Sequence, residues 1–188
     1  PNSQQVLDRY SADWYYALLN EGIIVACVDG RGTGARGEEF RKGTYMNLGI
    51  KESDDQIAAA RYLASLPYID AKGIGIWGWS YGGYTVLMSM SRGNGTFKAG
   101  VAIAPVTDYR FYDTIYTERF MRTPQQNKQG YDNGSPIALA GRLEGNLLLV
   151  HGTADDNVHF QNSVEYSRAL IEAGKHFDMF FFPDKDHS

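Results

Sequence analysis

Short, continuously apolar segments alternate along this chain with longer amphipathic ones, and no other feature constrains the fold as much. A continuously apolar run of about five residues is typical of a strand buried on both faces of a parallel sheet, and the amphipathic segments are typical of helices that cover it. The predicted strands are residues 23–28, 74–77, 99–103, 147–150 and 177–182, and the predicted helices are residues 8–20, 54–66, 84–90 and 162–173. The sequence therefore predicts an α/β fold: a mostly parallel sheet with helices on both faces.

Single residues mark several of the predicted helix ends. Gly22 is placed to end the first helix in the left-handed conformation, which glycine adopts most easily. Ser53 is a good N-cap for the second helix, and Pro67 marks the end of that helix. Residues 105–136 show no sustained period and are predicted to be irregular.

The composition excludes several classes of protein. The 188 residues are enough for one domain with a sizeable core. The net charge of −4, from 18 Lys and Arg against 22 Asp and Glu, lacks the basic surplus of a nucleic-acid binder. No apolar run approaches the ~18 residues that a membrane-spanning helix needs, so no span is predicted in this chain. Cys27 is the only cysteine, which excludes an intrachain disulfide and a thiolate zinc site.

A serine lies at the turn between a predicted strand and a predicted helix. Residues 78–82 read G-W-S-Y-G, with Ser80 at the centre, and Gly83 follows. A nucleophile on so sharp a turn has strained backbone geometry, and a Cβ two residues to either side would collide with the adjoining strand or helix. The alternative is a flexible glycine-rich connection, which the flanking strand and helix disfavour. The pattern predicts that Ser80 is a nucleophile.

A serine hydroxyl needs a base, usually a histidine that a carboxylate orients. In this class of fold the partners follow the serine in the order acid, then histidine, on loops after the carboxyl ends of strands. His187 follows the last predicted strand and fits. His176 precedes that strand and would lie at the opposite edge of the sheet. His151 and His159 flank the predicted acid loop, and we interpret both as supporting residues rather than the base.

The loop after the fourth predicted strand carries two candidates for the acid. Asp155 and Asp156 both come after Ser80 and before His187 in the chain. Sequence order alone does not choose between them.

A second glycine-rich segment offers a competing function. Residues 32–37 match the G-x-G-x-x-G pattern of dinucleotide-binding proteins and follow a predicted strand. That pattern also requires a helix with an apolar face directly afterwards and an acidic residue at the end of the next strand, about 20 residues on. Neither is present, because the next predicted strand ends at Trp77. We therefore interpret these glycines as allowing a tight loop near the rim of the active site, and no cofactor is predicted.

Four longer segments together resemble the prolyl oligopeptidase family of serine peptidases, with dipeptidyl peptidases as the most similar members. The matching segments are DGRGTG at 29–34, WGWSYGGY at 77–84, YD at 112–113 with YTER at 116–119, and HGTADDNVHF at 151–160. The resemblance implies an α/β-hydrolase fold. It also implies that Ser80 is the nucleophile, Asp155 the triad acid and His187 the general base.

The resemblance further implies a substrate site. The backbone N–H of Tyr81 would be an oxyanion-hole donor, and Asn157 matches a residue that holds a substrate carbonyl group. The side chains that match the apolar pocket for proline are Val106, Tyr109, Tyr112, Tyr116, Tyr81 and Val158. Tyr109 stands where mammalian members carry tryptophan, so the pocket differs there. From the residues alone, the tyrosines at 109, 112 and 116 equally fit an ordinary amphipathic core stripe, since their spacings are three and four.

For the whole protein, the resemblance implies an exopeptidase that releases X-Pro or X-Ala dipeptides, usually a homodimer that is periplasmic, at the cell surface or secreted. Residues 1–188 would be an incomplete catalytic α/β-hydrolase domain, with a β-propeller domain and a second oxyanion donor, a tyrosine, encoded upstream. The alternatives are an acylaminoacyl peptidase or carboxylesterase of the same fold, and a catalytically inactive fragment.

Overall fold

Four parallel strands form the sheet of the computed structural model, which describes residues 6–7 and 15–188. The strands are β1 (Gly75–Trp79), β2 (Ala99–Ile103), β3 (Asn146–Gly152) and β4 (Asp178–Phe182), and neighbours in the sheet follow the order β1-β2-β3-β4. All three pairings are parallel, so the carboxyl ends of the strands meet at one edge. The last four predicted strands are therefore confirmed, each within two residues at either end.

Seven α-helices and two 3₁₀ helices lie within the described residues. The α-helices are α1 (Tyr15–Asn20), α2 (Glu38–Lys42), α3 (Ile50–Ala64), α4 (Tyr81–Arg92), α5 (Thr114–Met121), α6 (Lys128–Asn133) and α7 (Gln161–Glu172). The 3₁₀ helices span Tyr109–Phe111 and Ile137–Arg142. Within the part of the chain that the structure describes, no helix is both long enough and apolar enough to cross a membrane.

The main core lies between the sheet and three helices. Side chains of α3, α4 and α7 pack against inward-facing residues of β2 and β3, and the buried members include Ile57, Val86, Leu87, Leu149 and Leu170. On the opposite face of the sheet, the ring of Tyr15 in α1 contacts the ring of Trp77 edge-to-face at 6.4 Å. Burial of the sheet face that α3, α4 and α7 cover contributes about 25 cal/mol per Å² of apolar area, and it is the main force that holds these elements together.

A second apolar cluster lies beyond the carboxyl ends of the strands. Its buried members come from α4 and from the connections between strands: Leu48, Tyr84, Met88, Val106, Tyr109, Met121, Tyr131 and Val158. The hydroxyl of Tyr84 contacts the backbone oxygens of Leu48 and Gly134, each at 2.9 Å. This cluster therefore lies at the same edge of the sheet as the turn that carries Ser80.

The segment 105–136 is more regular than predicted. It contains a 3₁₀ helix together with α5 and α6, whose N-caps Asp113 and Asn127 accept hydrogen bonds from the backbone N–H groups of Tyr116 and Gly130. Short helices of six or eight residues give too few turns for a clear period, and their stability comes from caps and packing. The prediction of an irregular segment is therefore wrong.

The predicted strand at 23–28 is also wrong. The structure assigns no strand there, and Ile23 and Ile24 are 48% and 58% exposed. A strand exists only through backbone hydrogen bonds to a neighbour, and none of the four described strands pairs with this segment. The carbonyl oxygen of Val28 accepts a hydrogen bond from the side chain of Gln56 instead. An apolar run in the sequence does not reveal whether a partner strand is present.

The predicted helix ends have mixed outcomes. Gly22 ends α1 with φ of +77°, and the N–H groups of Gly22 and Ile23 bond back to Leu19 and Leu18, so that prediction is confirmed. The start of that helix, predicted at residue 8, lies outside the described residues. Ser53 is not the N-cap of α3, because the helix begins at Ile50 and Ser53 is buried inside its first turn. The Ser53 hydroxyl donates to the carbonyl oxygen of Gly49, which is the actual N-cap residue.

Candidate active site

Ser80 occupies the turn between β1 and α4, as the sequence predicts. Its φ of +58° and ψ of −116° are unusual for a residue with a side chain, and its N–H is held by the carbonyl oxygen of Ile103 at 2.8 Å. The turn is tight because Gly78 and Gly83 bring backbones together. A Cβ on Gly78 would strike the backbone of Gly82, and one on Gly83 would lie 2.8 Å from the oxygen of Ile103.

The steric argument for the second glycine of the motif is wrong. Outside its own helix, a Cβ on Gly82 would meet no atom within 4 Å. The crowded position after the serine is Gly83, because that residue of α4 packs directly on β2. A five-residue pattern does not show which helical position faces the sheet.

Three polar side chains from different loops meet at this turn. The Nε2 of His187 lies 2.9 Å from the Oγ of Ser80, and its Nδ1 lies 2.7 Å from the Oδ2 of Asp155. Ser80 follows β1, Asp155 follows β3 and His187 follows β4, so the parallel sheet brings together residues that are 107 and 32 positions apart in the chain. The contacts lead from a hydroxyl to an imidazole and from there to a carboxylate, which is the geometry of a Ser-His-Asp triad.

The structure brings Asp155, and not Asp156, to the histidine. Asp155 is 5% exposed, whereas Asp156 is exposed. The Oδ1 of Asp155 accepts the backbone N–H groups of Asn157 at 3.0 Å and Val158 at 2.9 Å. These bonds fix the carboxylate so that Oδ2 faces His187. Since a carboxylate accepts the Nδ1–H, the Nε2 of His187 is left free to accept the Ser80 proton.

A second histidine, His151, also contacts the acid. It is buried, and its Nε2 lies 3.1 Å from the Oδ2 of Asp155 and 2.8 Å from the carbonyl oxygen of Val158. Because both neighbours are acceptors, Nε2 carries the proton. The Nδ1 then accepts from the hydroxyl of Ser163 at 2.7 Å, since burial lowers the pKa of His151 and favours the neutral ring. His151 therefore donates to the same oxygen as His187 without adding a positive charge.

The other two histidines lie apart from this group. His159 and His176 are both exposed, and His176 precedes β4 at the amino end of that strand. The structure therefore agrees with the interpretation that neither is the base.

The backbone N–H of Tyr81, the predicted oxyanion-hole donor, lies at the amino end of α4. Tyr81 is the first residue of α4, so its N–H has no acceptor within the helix. The twelve-residue helix also directs the positive end of its dipole toward the turn. A tetrahedral oxyanion formed on Ser80 would find both a donor and a favourable field there.

The side chains predicted to bind substrate fall into two groups. Val106, Tyr109 and Val158 are buried in the second apolar cluster, at no more than 3% exposure. Tyr81, Tyr112 and Tyr116 are partly buried and pack against that cluster. The rings of Tyr112 and Tyr116 meet edge-to-face at 5.3 Å. The structure thus brings these side chains into one aromatic region, which is compatible with both a pocket wall and an ordinary core stripe.

Asn157 lies beside this aromatic region. The hydroxyl of Tyr112 donates to its Oδ1 at 2.7 Å. With its oxygen engaged, the side-chain NH₂ group of Asn157 is oriented away from Tyr112 and is available as a donor.

The sequence patterns do not identify one buried residue near Ser80, which is Glu52. Glu52, in the first turn of α3, is only 7% exposed and accepts a hydrogen bond of 2.6 Å from the hydroxyl of Tyr81. The only local signal is its place three residues after Gly49, where a glutamate often caps a helix. Burial of a glutamate side chain by a distant tyrosine leaves no mark in the sequence.

The glycine-rich loop at 32–37 is followed by α2, which has five residues and none buried. A helix that buries no residue does not pack on the sheet as a dinucleotide-binding helix would. Arg31, in the preceding residues, is instead held by Asp55 of α3, with the Nη2 of Arg31 2.6 Å from the Oδ1 of Asp55. Among the described residues, no group of three or more His, Cys, Asp and Glu side chains is arranged to hold a metal ion.

Comparison with families of known proteins gives one match that covers nearly the whole chain. Residues 10–188 match the family model described as the prolyl oligopeptidase family. Among curated proteins, the chain is 51% identical to a protein of Phaeosphaeria nodorum described as a probable dipeptidyl-aminopeptidase B, over 100% of this chain and 21% of that protein. It is 50% identical, with the same coverage, to a protein of Paracoccidioides lutzii with the same description.

Among solved structures, the chain is similar to the dipeptidyl peptidase 4 of Porphyromonas gingivalis. The TM-score is 0.97 and the sequence identity is 65%, over 100% of this chain and 27% of that one. The chain therefore spans about a fifth of the length of the curated relatives that it matches. The agreement in fold extends over the whole of this chain.

Proposed function

The chain belongs to the prolyl oligopeptidase family, and from that premise we propose that it is the catalytic part of a serine exopeptidase that releases X-Pro or X-Ala dipeptides from the amino ends of peptides. The observation that carries the proposal is the continuous contact from Ser80 to His187 to Asp155, at 2.9 and 2.7 Å. The names of the relatives support the dipeptidyl activity.

In the proposed reaction, the Oγ of Ser80 attacks the carbonyl carbon of the second substrate residue while the Nε2 of His187 takes the hydroxyl proton. The resulting oxyanion is stabilised by the N–H of Tyr81. The C–N bond then breaks, and His187 gives its proton to the leaving amine, which leaves the dipeptide as an ester on Ser80. A water molecule attacks this ester, again losing its proton to His187, and the dipeptide leaves with a new carboxylate as Ser80 regains its proton.

Asp155 supports both proton transfers. Its charge stabilises the imidazolium that forms on His187, and its hydrogen bond keeps the ring in the orientation that faces Ser80. The backbone bonds to its other oxygen make the carboxylate rigid. In a buried site, a charge held in a fixed position stabilises the imidazolium more strongly than it would in water.

We assign the substrate contacts to the aromatic region beside Ser80. Tyr81, Tyr109, Tyr112, Tyr116, Val106 and Val158 would enclose the proline ring, since tyrosine rings give broad, stiff apolar walls at a small cost in conformational entropy. The free NH₂ group of Asn157 would donate to a substrate carbonyl oxygen. The buried partners of Tyr109 and Val158 support a pocket of fixed shape.

We further propose that this chain acts within a larger peptidase, in which residues 1–188 supply the hydrolase chemistry. The chain spans 21% of the length of its curated relatives. We therefore propose that the whole protein, rather than this chain alone, gates substrate entry, captures the substrate amino terminus and assembles into a homodimer.

The test uses the full-length protein that carries this chain. It should release the dipeptide Gly-Pro from a Gly-Pro-X-X peptide, as identified by mass spectrometry, and Ser80→Ala should abolish the release. A matched control is Ser65→Ala, which changes an exposed serine at the end of α3. Equal rates for the wild-type and Ser80→Ala proteins would refute the proposal. Rapid ester hydrolysis without dipeptide release would instead identify an esterase.

A further inference from the structure

A buried carboxylate, that of Glu52, lies next to the serine turn. Glu52 is 7% exposed, and among the described residues no Lys, Arg or His forms a salt bridge with it. Its Oε1 accepts the hydroxyl of Tyr81 at 2.6 Å, and its Oε2 accepts the N–H of Gly49 at 3.0 Å. Burial of a carboxyl group is unfavourable unless its oxygens are hydrogen-bonded, and here each oxygen has one donor.

The bond to Tyr81 is the stronger of the two. A separation of 2.6 Å lies in the range of O–H···O⁻ hydrogen bonds, which are about twice as strong as neutral ones. Burial raises the pKa of Glu52, and it also raises the pKa of Tyr81 well above its usual value. The tyrosine therefore keeps its proton and donates it, which fixes the end of the Tyr81 ring.

Tyr81 transmits this restraint to the aromatic region. Its ring packs edge-to-face on Tyr84, with centroids 5.5 Å apart, and Tyr84 packs edge-to-face on Tyr109 at 5.1 Å. Tyr84 is itself fixed by its hydroxyl contacts with the backbone of Leu48 and Gly134. The ring of Tyr81 is thus held by packing against Tyr84 along one side and by Glu52 at its hydroxyl.

We propose that Glu52 is a positioning residue that, by holding the Tyr81 hydroxyl, fixes one wall of the substrate pocket beside Ser80 and so sets the preference for proline over alanine at the second substrate position. This inference rests on the proposed function. Without the hydrogen bond the ring can swing about χ1, and the pocket then loses its close fit. The loss falls mainly on proline, because its ring fills the space that an alanine methyl group leaves empty.

The expected size of the effect follows from the difference between the two substrate residues. Proline buries two more methylene groups than alanine, and each contributes about fourfold to affinity when fully buried. When the Tyr81 ring no longer contacts the proline ring, most of that difference in affinity between proline and alanine is lost. The ratio of kcat/KM for proline over alanine substrates should therefore fall by about tenfold.

The experiment compares variants of the full-length protein that carries this chain. Tyr81→Phe removes only the hydroxyl, and Glu52→Ala removes both acceptor oxygens. In Glu52→Gln the amide oxygen accepts the Gly49 N–H and the NH₂ group donates to the hydroxyl oxygen of Tyr81, so the end of the ring keeps a partner. Asp54→Ala is the matched control, because Asp54 is an exposed acid of the same helix. For each variant, kcat/KM is measured for Gly-Pro and Gly-Ala chromogenic substrates, together with the rate at which a fluorophosphonate with small alkyl groups labels the serine.

The expected result is that Tyr81→Phe and Glu52→Ala lower the proline-to-alanine ratio about tenfold, and that kcat/KM for the proline substrate falls more than the labelling rate does. Glu52→Gln should keep most of the wild-type ratio. If Glu52→Ala does not fold, Tyr81→Phe decides, since it leaves the bond between Glu52 and Gly49 in place.

A proline-to-alanine ratio that stays at the wild-type value in Tyr81→Phe would overturn the inference while leaving the proposed function intact, and so would an equal fall for both substrates and for labelling. Failure of the proposed function has a different signature: the wild-type protein would cleave neither substrate, or Ser80→Ala would cleave both at the wild-type rate.

Discussion

Replacement of Asp155 by asparagine is the change whose effect the structure defines most closely. The Oδ1 of Asp155 accepts two backbone N–H groups, from Asn157 and Val158. In Asp155→Asn the amide oxygen must take that place, because backbone N–H groups can only donate, whereas the two imidazole rings that face Oδ2 can change tautomer. The NH₂ group is then forced into the position of Oδ2, where it faces the ring of His187.

This forced orientation reverses the proton arrangement on the base. An NH₂ group opposite the Nδ1 of His187 requires that nitrogen to accept, so the ring proton moves to Nε2. The Nε2 then faces Ser80 with a proton already bound and cannot take another. Loss of the correct tautomer in a triad of this kind lowers kcat by about 10⁴-fold, which corresponds to about 5 kcal/mol in the barrier.

The assay is the steady-state rate of Gly-Pro release by the full-length protein, with Asp156→Asn as the matched control. Asp156 is the exposed neighbour, and its replacement should change kcat less than twofold. The reasoning fails if Asp155→Asn keeps more than about a tenth of the wild-type kcat, or if the two variants lose activity to the same extent.

Three further changes test separate parts of the structure. His151→Gln should make the free energy of unfolding less sensitive to acid. Burial lowers the pKa of His151 from its ordinary value of 6.5, so the unfolded state binds more protons below that pH. The wild-type free energy of unfolding should therefore fall as the pH drops from 7 to 5, and urea denaturation of both proteins measures the difference. Gly78→Ala should destabilise the fold by about 1–3 kcal/mol or more, because its Cβ strikes the turn, whereas Gly82→Ala should be tolerated; equal melting temperatures would contradict this. Tyr112→Phe should raise KM about threefold to tenfold with little change in kcat, since it frees the amide of Asn157 to turn.

The sequence predicts the four described strands because each is a short, nearly continuous apolar run, although β1 and β4 are largely exposed in the structure. Strands β2 and β3 lie in the middle of the sheet, so their pattern reflects neighbours on both sides. The segment 23–28 has the same pattern but no partner among the described strands, and the prediction fails there. Helix boundaries fail for a related reason: Ser53 has the chemistry of an N-cap, but α3 begins at Ile50 because Glu52 supplies the bond to the Gly49 N–H.

The candidate site divides in the same way between local and long-range information. The turn around Ser80 has a local signature, since its strain and its glycines are confined to a few residues. Sequence order leaves Asp155 and Asp156 equivalent, and only the path of the loop buries one and exposes the other. The bond from Glu52 to Tyr81 joins residues 29 positions apart through tertiary packing, which no pattern in the sequence records.

The most direct test of the account is to map where a fluorophosphonate attaches to the full-length protein. A serine reacts rapidly with this reagent only when a base activates it. The account predicts a single adduct on Ser80, found by mass spectrometry of the digested protein, and its loss when His187 is replaced by alanine. An adduct on another serine, or labelling of Ser80 that is as fast in His187→Ala as in the wild type, would contradict the account.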